Sequence, residues 1–556
     1  MSALGSLTGP WQRCAMVDHL PIQSRFLAFE GGLPVEHLGT FQQSLQAKDV
    51  FSVTWELVPG RGAREKAQDV VFASAEKAAK GGRIHALTIT DNPGGHPALA
   101  AEMLGVEINK LGIEPLVHFT CKDKNRNQME GLLHGMERAS IHNLLVMTGD
   151  YTYSGHLGRA KPVFDYDPTH LLTLITDMNQ GLEVPTMKGT ARLAPSHFFA
   201  GAAASPFKAT EAELVTQYYK LKKKLDAGAQ FIVSQLGYDA RKFHELLQMV
   251  KHMGYGHIPV LGNIFILPLG AAKLMNRNGL PGCVATNELV AALDAESKAA
   301  DKGKGLRLER AAKMYAFMKG MGFDGVHIGG HGVSYDDFEF VVGRGEELVP
   351  NWRDLVHEFN FPQAEGFYYF EKDAKTGLNT ETPVDRSERP SSPLSYKAML
   401  GLHHAAFEPG GMLFKPMQTI AAAVDGKALE HSYTKVEHLI KVVSNECESC
   451  GDCALFDLAY LCPMSQCPKA QRNGPCGGGL NGYCEVYPKG SHGEMQCIHV
   501  RAYNRLKSHG AEEQLGAYPI PPVNYDARWT SSWLNFYLGR DHSAKRLGIE
   551  APKKDT

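Results

Sequence analysis

From residue 51 to about 330, short apolar runs alternate with stretches whose apolar positions recur every three or four residues. FSVTWEL (51–57), IHALTIT (84–90), PLVHFT (115–120), NLLVMTG (143–149), HFFAGAA (197–203), QFIVSQLG (230–237), IPVLGNIFI (258–266) and GVHIGG (325–330) read as eight strands. Near-continuous apolarity suits strands covered on both faces. Helical stretches lie between most of them, as at 63–82, which ends on glycine, and 96–112. The stretch 213–229 places Leu214, Tyr218, Leu221 and Leu225 at spacings of four, three and four. Repeated strand–helix alternation predicts a parallel sheet, and eight units over this length match a (β/α)8 TIM barrel. An open doubly wound sheet is the rival. No Gly-x-Gly-x-x-Gly turn follows the first strand, which counts against a dinucleotide-binding fold of that type.

Beyond residue 330 the rhythm changes. Residues 372–396 are polar and rich in Pro, Ser and Thr, and read as an extended connector. Residues 431–446 predict a helix. In the tail, Trp529, Trp533, Phe536 and Tyr537 recur at spacings that suit one helix face. The predicted organisation is an N-terminal extension (1–48), the barrel (49–335), a connector and accessory region (336–430) and a small cysteine-rich, metal-binding C-terminal domain (431–556).

The 556 residues exceed what one core ordinarily takes, so more than one domain is expected. A formal net charge of -2 gives no sign of nucleic acid or an anionic membrane as partner. The opening residues lack a basic segment followed by an apolar one, and no apolar run is long enough to cross a bilayer. The expected compartment is the cytoplasm, where clustered cysteines more often bind metal than form disulfides.

That expectation matters for Cys447, Cys450, Cys453, Cys462, Cys467, Cys476, Cys484 and Cys497, which crowd into one short region. Two-residue gaps let thiolates converge on a metal, and nearby Pro and Gly let the backbone wrap it. Eight thiolates divide into two four-cysteine sites. The triple Cys-x-x-Cys with a later Cys-Pro at 462–463 partly matches ferredoxin-type 4Fe-4S iron–sulfur ligation. Zinc, equally at home among four thiolates, is the alternative, and either metal can simply staple a small module. Cys14, Cys121 and Cys283 are isolated and read as buried thiols.

In a barrel of this kind the chemistry sits at the carboxyl ends of the strands. Glu56 nearly ends the first. Thr90, Asp91 and Asn92 end the second, His118 and Thr120 the third, and Asp150 follows the fourth. Gln235 lies near the end of the sixth, Asn263 in the seventh, and His327 and His331 flank the eighth. Singly, such residues read as helix caps or hydrogen-bonded core groups; together at one end, they suggest a site. The run LKKK (221–224) reads first as a solvated helix face, with cofactor-phosphate binding as the alternative.

Taken in order, VTWELVPGRG, ALTITDN, PLVHFTCKD, NLLVMTGD, AAASPFK, LKKKLDAGAQFIVSQLGYD and GVHIGGHG resemble the methylenetetrahydrofolate reductase family over about 50–335. CPMSQCPK, NGPCGGGLNGYCEVYP and GFYYFEKDAKTGLN resemble the cysteine-rich C-terminal domain fused to, or partnered with, some of these enzymes. The resemblance implies a flavin-bearing barrel that reduces 5,10-methylenetetrahydrofolate to 5-methyltetrahydrofolate, or runs the reverse oxidation. It implies Glu56 as general acid, kept protonated by a poorly hydrated site, Asp150 beside flavin and pterin, and Gln235 on the substrate. It further implies Thr90, His118, Gly149, Asp150 and Lys224 as flavin-binding positions. Thr148 stands where familiar members carry Arg, and the stretch after the fifth strand lacks their adenine-stacking Tyr, so the flavin is FAD or FMN. The electron donor is NAD(P)H or a carrier protein such as ferredoxin, and a homo-oligomer is possible. The rival functions are a folate- or corrinoid-linked methyltransferase and a non-catalytic electron-transfer subunit.

Overall fold

The structure, a computed structural model, describes residues 40–552. Cys14 and most of the expected N-terminal extension lie outside the described residues. Eight parallel strands close into a barrel: β1 (Ser52–Leu57), β2 (Ala86–Ile89), β3 (Pro115–Thr120), β4 (Asn143–Met147), β5 (Phe199–Ala204), β6 (Phe231–Ser234), β7 (Val260–Phe265) and β8 (Gly325–Gly329). Each pairs with its sequence neighbours, and β1 closes on β8 with Thr54 opposite His327. All eight expected strands are present. The expected helices are α1 (Lys66–Gly81), α2 (Ala101–Asn109) and, following β5, α3 (Glu211–Asp226). Gly82 ends α1 in the left-handed conformation, φ 71°. Thr210 and Glu213 form a reciprocal capping box at the start of α3.

The barrel's amino end is closed by aromatics. A short helix, Thr40–Gln46, is held by the Glu114 carboxylate, which accepts from the Thr40 and Phe41 amides. It pushes Phe41 against Phe231 and Phe199, with ring centroids 5.4 and 6.0 Å away. Gly201 is required beside this packing, since a Cβ there would stand 2.3 Å from the Phe231 ring. The floor is therefore solid, and the open end lies at the strand carboxyl termini.

The connector differs from its expected extended form. Phe370–Lys372 and Asn379–Pro383 pair as an antiparallel hairpin. Its polar residues are used for docking on α4 (Ala240–His252): Arg241 donates to the Asn379 Oδ1 and the Phe370 carbonyl, and Gln248 to the Thr380 carbonyl. In the tail, Ser531 caps a helix that begins only at Ser532, so Trp529 falls before it and is 67% exposed. Trp533, Phe536 and Tyr537 do pack, against Phe407 and Phe414.

The chain forms two compact units. One comprises Gly39–Ser392 with Asp457–Pro522, and the other contains Pro393–Phe456 with the tail from Val523. The stretch expected as one domain over 431–556 is therefore shared between them. Residues 457–522 join the barrel because its buried polar groups hold them. Asp167, which caps the helix Pro168–Gln180, also accepts from the backbone and side-chain amides of Asn473. Lys208 donates to the carbonyls of Gly477 and Gly479, and Lys220 to Gln471 Oε1 and the Gly474 carbonyl. Among the described residues no helix is long and apolar enough to cross a membrane.

Candidate active site at the barrel mouth

A cavity of about 290 Å³ opens at the carboxyl ends of the strands. Glu56, Thr90, His118, Gly149, Asp150, Lys224 and Gln235 all reach its wall, so the candidate residues scattered over the sequence share one space. Thr148, Asn263, Cys283 and His327 line it too. His331 is exposed beyond the strand end. Residues 469–485 supply the remaining wall through Lys469, Pro475, Cys476, Gly477, Gly478 and Glu485.

Asp150 is fixed by the Gly94 amide, 2.7 Å from its Oδ2. Gly149 takes φ 83°, and a Cβ there would come within 2.9 Å of Lys122 and Thr120. Its carbonyl accepts from Lys469, 2.8 Å away, and Lys469 is paired with Glu485 beside the cavity. Thr148 donates to Gln471 Oε1. In Gln235 the side-chain carbonyl accepts from the Leu236 amide. Asp91, rather than facing the cavity alone, accepts from the Thr120 hydroxyl and pairs with Lys124.

Two expectations are corrected here. The LKKK run is not simply a solvated face: Lys223 and Lys224 are buried, as is Lys220 just before them, while Lys222 is partly exposed and paired with Asp226. Burial pushes Lys224 down to about 7, with the charge of Lys220 adding to the effect, and its ammonium donates to the Ala203 carbonyl at the cavity edge. The second correction concerns Glu56. Its burial raises the carboxyl, but the hydrogen bond and charge of His327, with the charge of His118, outweigh this and hold it below the usual carboxylate range. A carboxyl kept protonated by burial alone is therefore not what the site builds. His118 itself is pushed down to about 4, chiefly by burial.

Three contributors are incompletely legible in the sequence. His327 stands at a strand end, but its partner Glu56 lies far away in the chain. Cys283, read as a plain buried thiol, stands on the cavity wall, and burial raises it to about 12. Lys469 comes from far along the chain, and no local pattern links it to the barrel.

Four cysteines of the barrel unit, Cys467, Cys476, Cys484 and Cys497, line a second small cavity of about 30 Å³. Cys476 lies on the walls of both cavities. Burial raises Cys467 to about 12, with the neighbouring Cys476 and Cys484 adding to it. Crowded, half-buried thiols of this kind are relieved by a cation, which deprotonates them and neutralises their charge. The Gln471 amide points at Cys467 Sγ, 3.5 Å away. In the other unit, the Lys441 ammonium lies 3.3 Å from Cys453 Sγ, and the Ser449 amide donates to Cys447. Cys450 lies on the same turn.

A closed parallel barrel with acidic, amide and imidazole groups gathered at its strand ends defines a (β/α)8 enzyme. Residues 40–330 match the family Methylenetetrahydrofolate reductase, and residues 427–526 match Methylene-tetrahydrofolate reductase C terminal. The chain belongs to the methylenetetrahydrofolate reductase family and is an oxidoreductase of that type. Among solved structures, it is similar to an uncharacterized protein from Clostridium thermocellum that binds two copies of 5-methyl-5,6,7,8-tetrahydrofolic acid. The identity is 10% and the TM-score 0.39, over 56% of this chain and 99% of that one. It is also similar to the EDTA monooxygenase EmoA of Chelativorans sp. BNC1, at 14% identity and TM-score 0.33, over 60% of this chain and 99% of that one.

Proposed function

We propose that the mouth cavity binds a flavin and 5,10-methylenetetrahydrofolate together, with Glu56 as general acid, Asp150 as the charge beside the reacting carbon, and Gln235 on the substrate. The observation that carries this reading is the meeting of these three residues with Thr90 and His118 in one cavity. Thr90 Oγ1, His118 Nε2 and Ser205 Oγ are buried there without hydrogen-bond partners in the protein. Such orphans are expensive unless a ligand satisfies them, and a heterocycle edged with nitrogen and carbonyl groups does so. The residues present therefore fit a flavin, which supplies hydride to the one-carbon unit when bound.

The protein's own part is electrostatic and acid–base. Opening of the imidazolidine ring needs a proton on its leaving nitrogen, the role assigned to Glu56. Asp150, held by the Gly94 amide, favours the cationic iminium character that ring opening creates. Lys208 and Lys220 are already engaged by carbonyls of the cysteine segment, and Lys224 is left at the cavity edge. The cavity is compact and FMN is the smaller flavin, so FMN is favoured over FAD.

Cys467, Cys476, Cys484 and Cys497 would hold one metal centre. Four such thiols suit either a 4Fe-4S cluster or a zinc ion, and the cluster is the reading proposed here. Cys476 on the wall of the mouth cavity supports electron exchange between such a centre and a flavin, with an electron-carrier protein as the proposed donor. Cys447, Cys450 and Cys453 are proposed as ligands of a second centre.

The test is the half-reaction of reduced enzyme with 5,10-methylenetetrahydrofolate in Glu56→Gln. Flavin should remain bound while folate-dependent reoxidation falls by about 10²-fold or more. Reoxidation at the wild-type rate would remove Glu56 as the acid. A colourless wild-type protein that moves methyl groups would favour the methyltransferase instead.

A further inference from the structure

Glu56 does not stand alone at the base of the cavity. Closure of the barrel sets β1 against β8, and this brings His327 Nε2 to 3.5 Å from Glu56 Oε2. On its other side, His327 Nδ1 lies 3.0 Å from the Thr54 hydroxyl and 3.3 Å from that of Thr88. Thr54 Oγ1 donates to the Val326 carbonyl, so it accepts from His327. Nδ1 therefore carries a hydrogen, and Nε2 is turned to the carboxylate. His327 is 2% exposed, with hydroxyls of β1 and β2 on its Nδ1 side, and both it and Glu56 reach the cavity wall.

We infer that Glu56 and His327 act as one acid sharing a single proton, with His327 the positioning residue that stores it and returns it to Glu56. This rests on the reading of Glu56 given above. In the forward direction the shared proton moves from His327 Nε2 to Glu56 Oε2 and on to the leaving nitrogen of the folate, whose C–N bond breaks with its electron pair staying on nitrogen. The pair is left as a carboxylate and a neutral imidazole, and one proton from water restores it. No further reductant is needed beyond the hydride the reaction already uses. The arrangement also accounts for a carboxyl that its surroundings hold below the ordinary range yet that must deliver a proton: the imidazole holds it in reserve.

The titratable groups facing the pair are few. His118 approaches from β3, its ring 6.1 Å from that of His327, and Asp91 acts on His118 from the end of β2. Cys283 faces Glu56 from the loop after β7, and Asp150 lies across the cavity.

The experiment compares wild type, His327→Asn and Glu56→Gln as full-length flavin-loaded protein. It measures folate-dependent reoxidation across pH, flavin absorbance, and dithionite-driven reduction of menadione, which needs flavin but no acid. His327→Asn should keep its flavin and menadione rate, lose about 10²-fold in folate-dependent rate, and have its alkaline limb moved down by about one pH unit or more. A wild-type rate and pH profile in His327→Asn, with Glu56→Gln inactive, overturns the inference and leaves Glu56 standing. An active Glu56→Gln defeats the earlier reading instead. If His327→Asn loses its flavin, Thr88→Val removes one hydroxyl facing Nδ1 without touching Glu56. It should show the same downward move of the limb, and an unmoved limb overturns the inference. One equivalent of metal bound by wild type, lost from His327→Asn but kept when Cys484 is replaced, would make the cluster a metal site and also overturn it.

Discussion

His118 and His244 are imidazoles that the fold keeps neutral. Burial pushes each down to about 4, and Lys251 adds to the effect at His244. Once unfolded, each takes up a proton below about pH 6.5. Between the two values the unfolded chain therefore binds more protons, and stability falls as the pH drops from about 6.5 towards 4. Each should cost about 2 kcal/mol between about pH 7.5 and pH 5. Asp167, held below the usual carboxylate range by His170 and Lys220 against the effect of burial, stays ionised throughout this window and adds nothing to the change. Urea unfolding at the two pH values checks this: His244→Asn should lose less stability on acidification than wild type. An equal loss would show that His244 does not resist protonation. At this scale the sequence was a fair guide to identity but not to pairing. Glu56 and Asp150 stand out as acids at apolar strand ends. His327 becomes informative only when β8 is known to adjoin β1, more than 250 residues away in the chain.

The elements were more legible than the contacts between them. Strands buried on both faces must be apolar throughout and must end where the chain turns polar, so all eight can be read directly. Docking of 457–522 on the barrel has no such signature. It depends on Lys208, Lys220 and Asp167, whose types suit a solvated helix or a cap equally well, and on Gly474, where a Cβ would stand 2.5 Å from Lys220. The hairpin Phe370–Pro383 was hidden for the same reason, its residues being polar because they donate to and accept from α4. The docked segment also carries a consequence. Cys467, Cys476, Cys484 and Cys497 bracket the residues that wall the mouth cavity, so a metal centre there should hold both in place. Cys484→Ser is expected to lose that metal, to raise hydrogen exchange over 469–479, and to weaken flavin retention at least several-fold. Unchanged exchange and full flavin content would separate the cysteine site from the cavity.

Across the whole molecule, a (β/α)8 barrel of the methylenetetrahydrofolate reductase family carries part of the wall of its mouth cavity on a segment from beyond the barrel. Thr148 is bonded to Gln471 of that segment, and a lysine from it, Lys469, reaches the carbonyl of Gly149. The mouth cavity and the thiol cluster are thereby neighbours, with Cys476 common to both. The measurement that bears on this most directly is an anaerobic absorption spectrum of the full-length protein, with flavin, iron and zinc quantified on the same sample before and after addition of 5,10-methylenetetrahydrofolate to the reduced form. Bound flavin together with iron, and a return of the oxidised flavin bands on adding the folate, is the expected result. A protein with zinc but no iron would leave the barrel chemistry intact and remove the electron route; a protein with no flavin, or a reduced flavin indifferent to the folate, would contradict the assignment of the cavity itself.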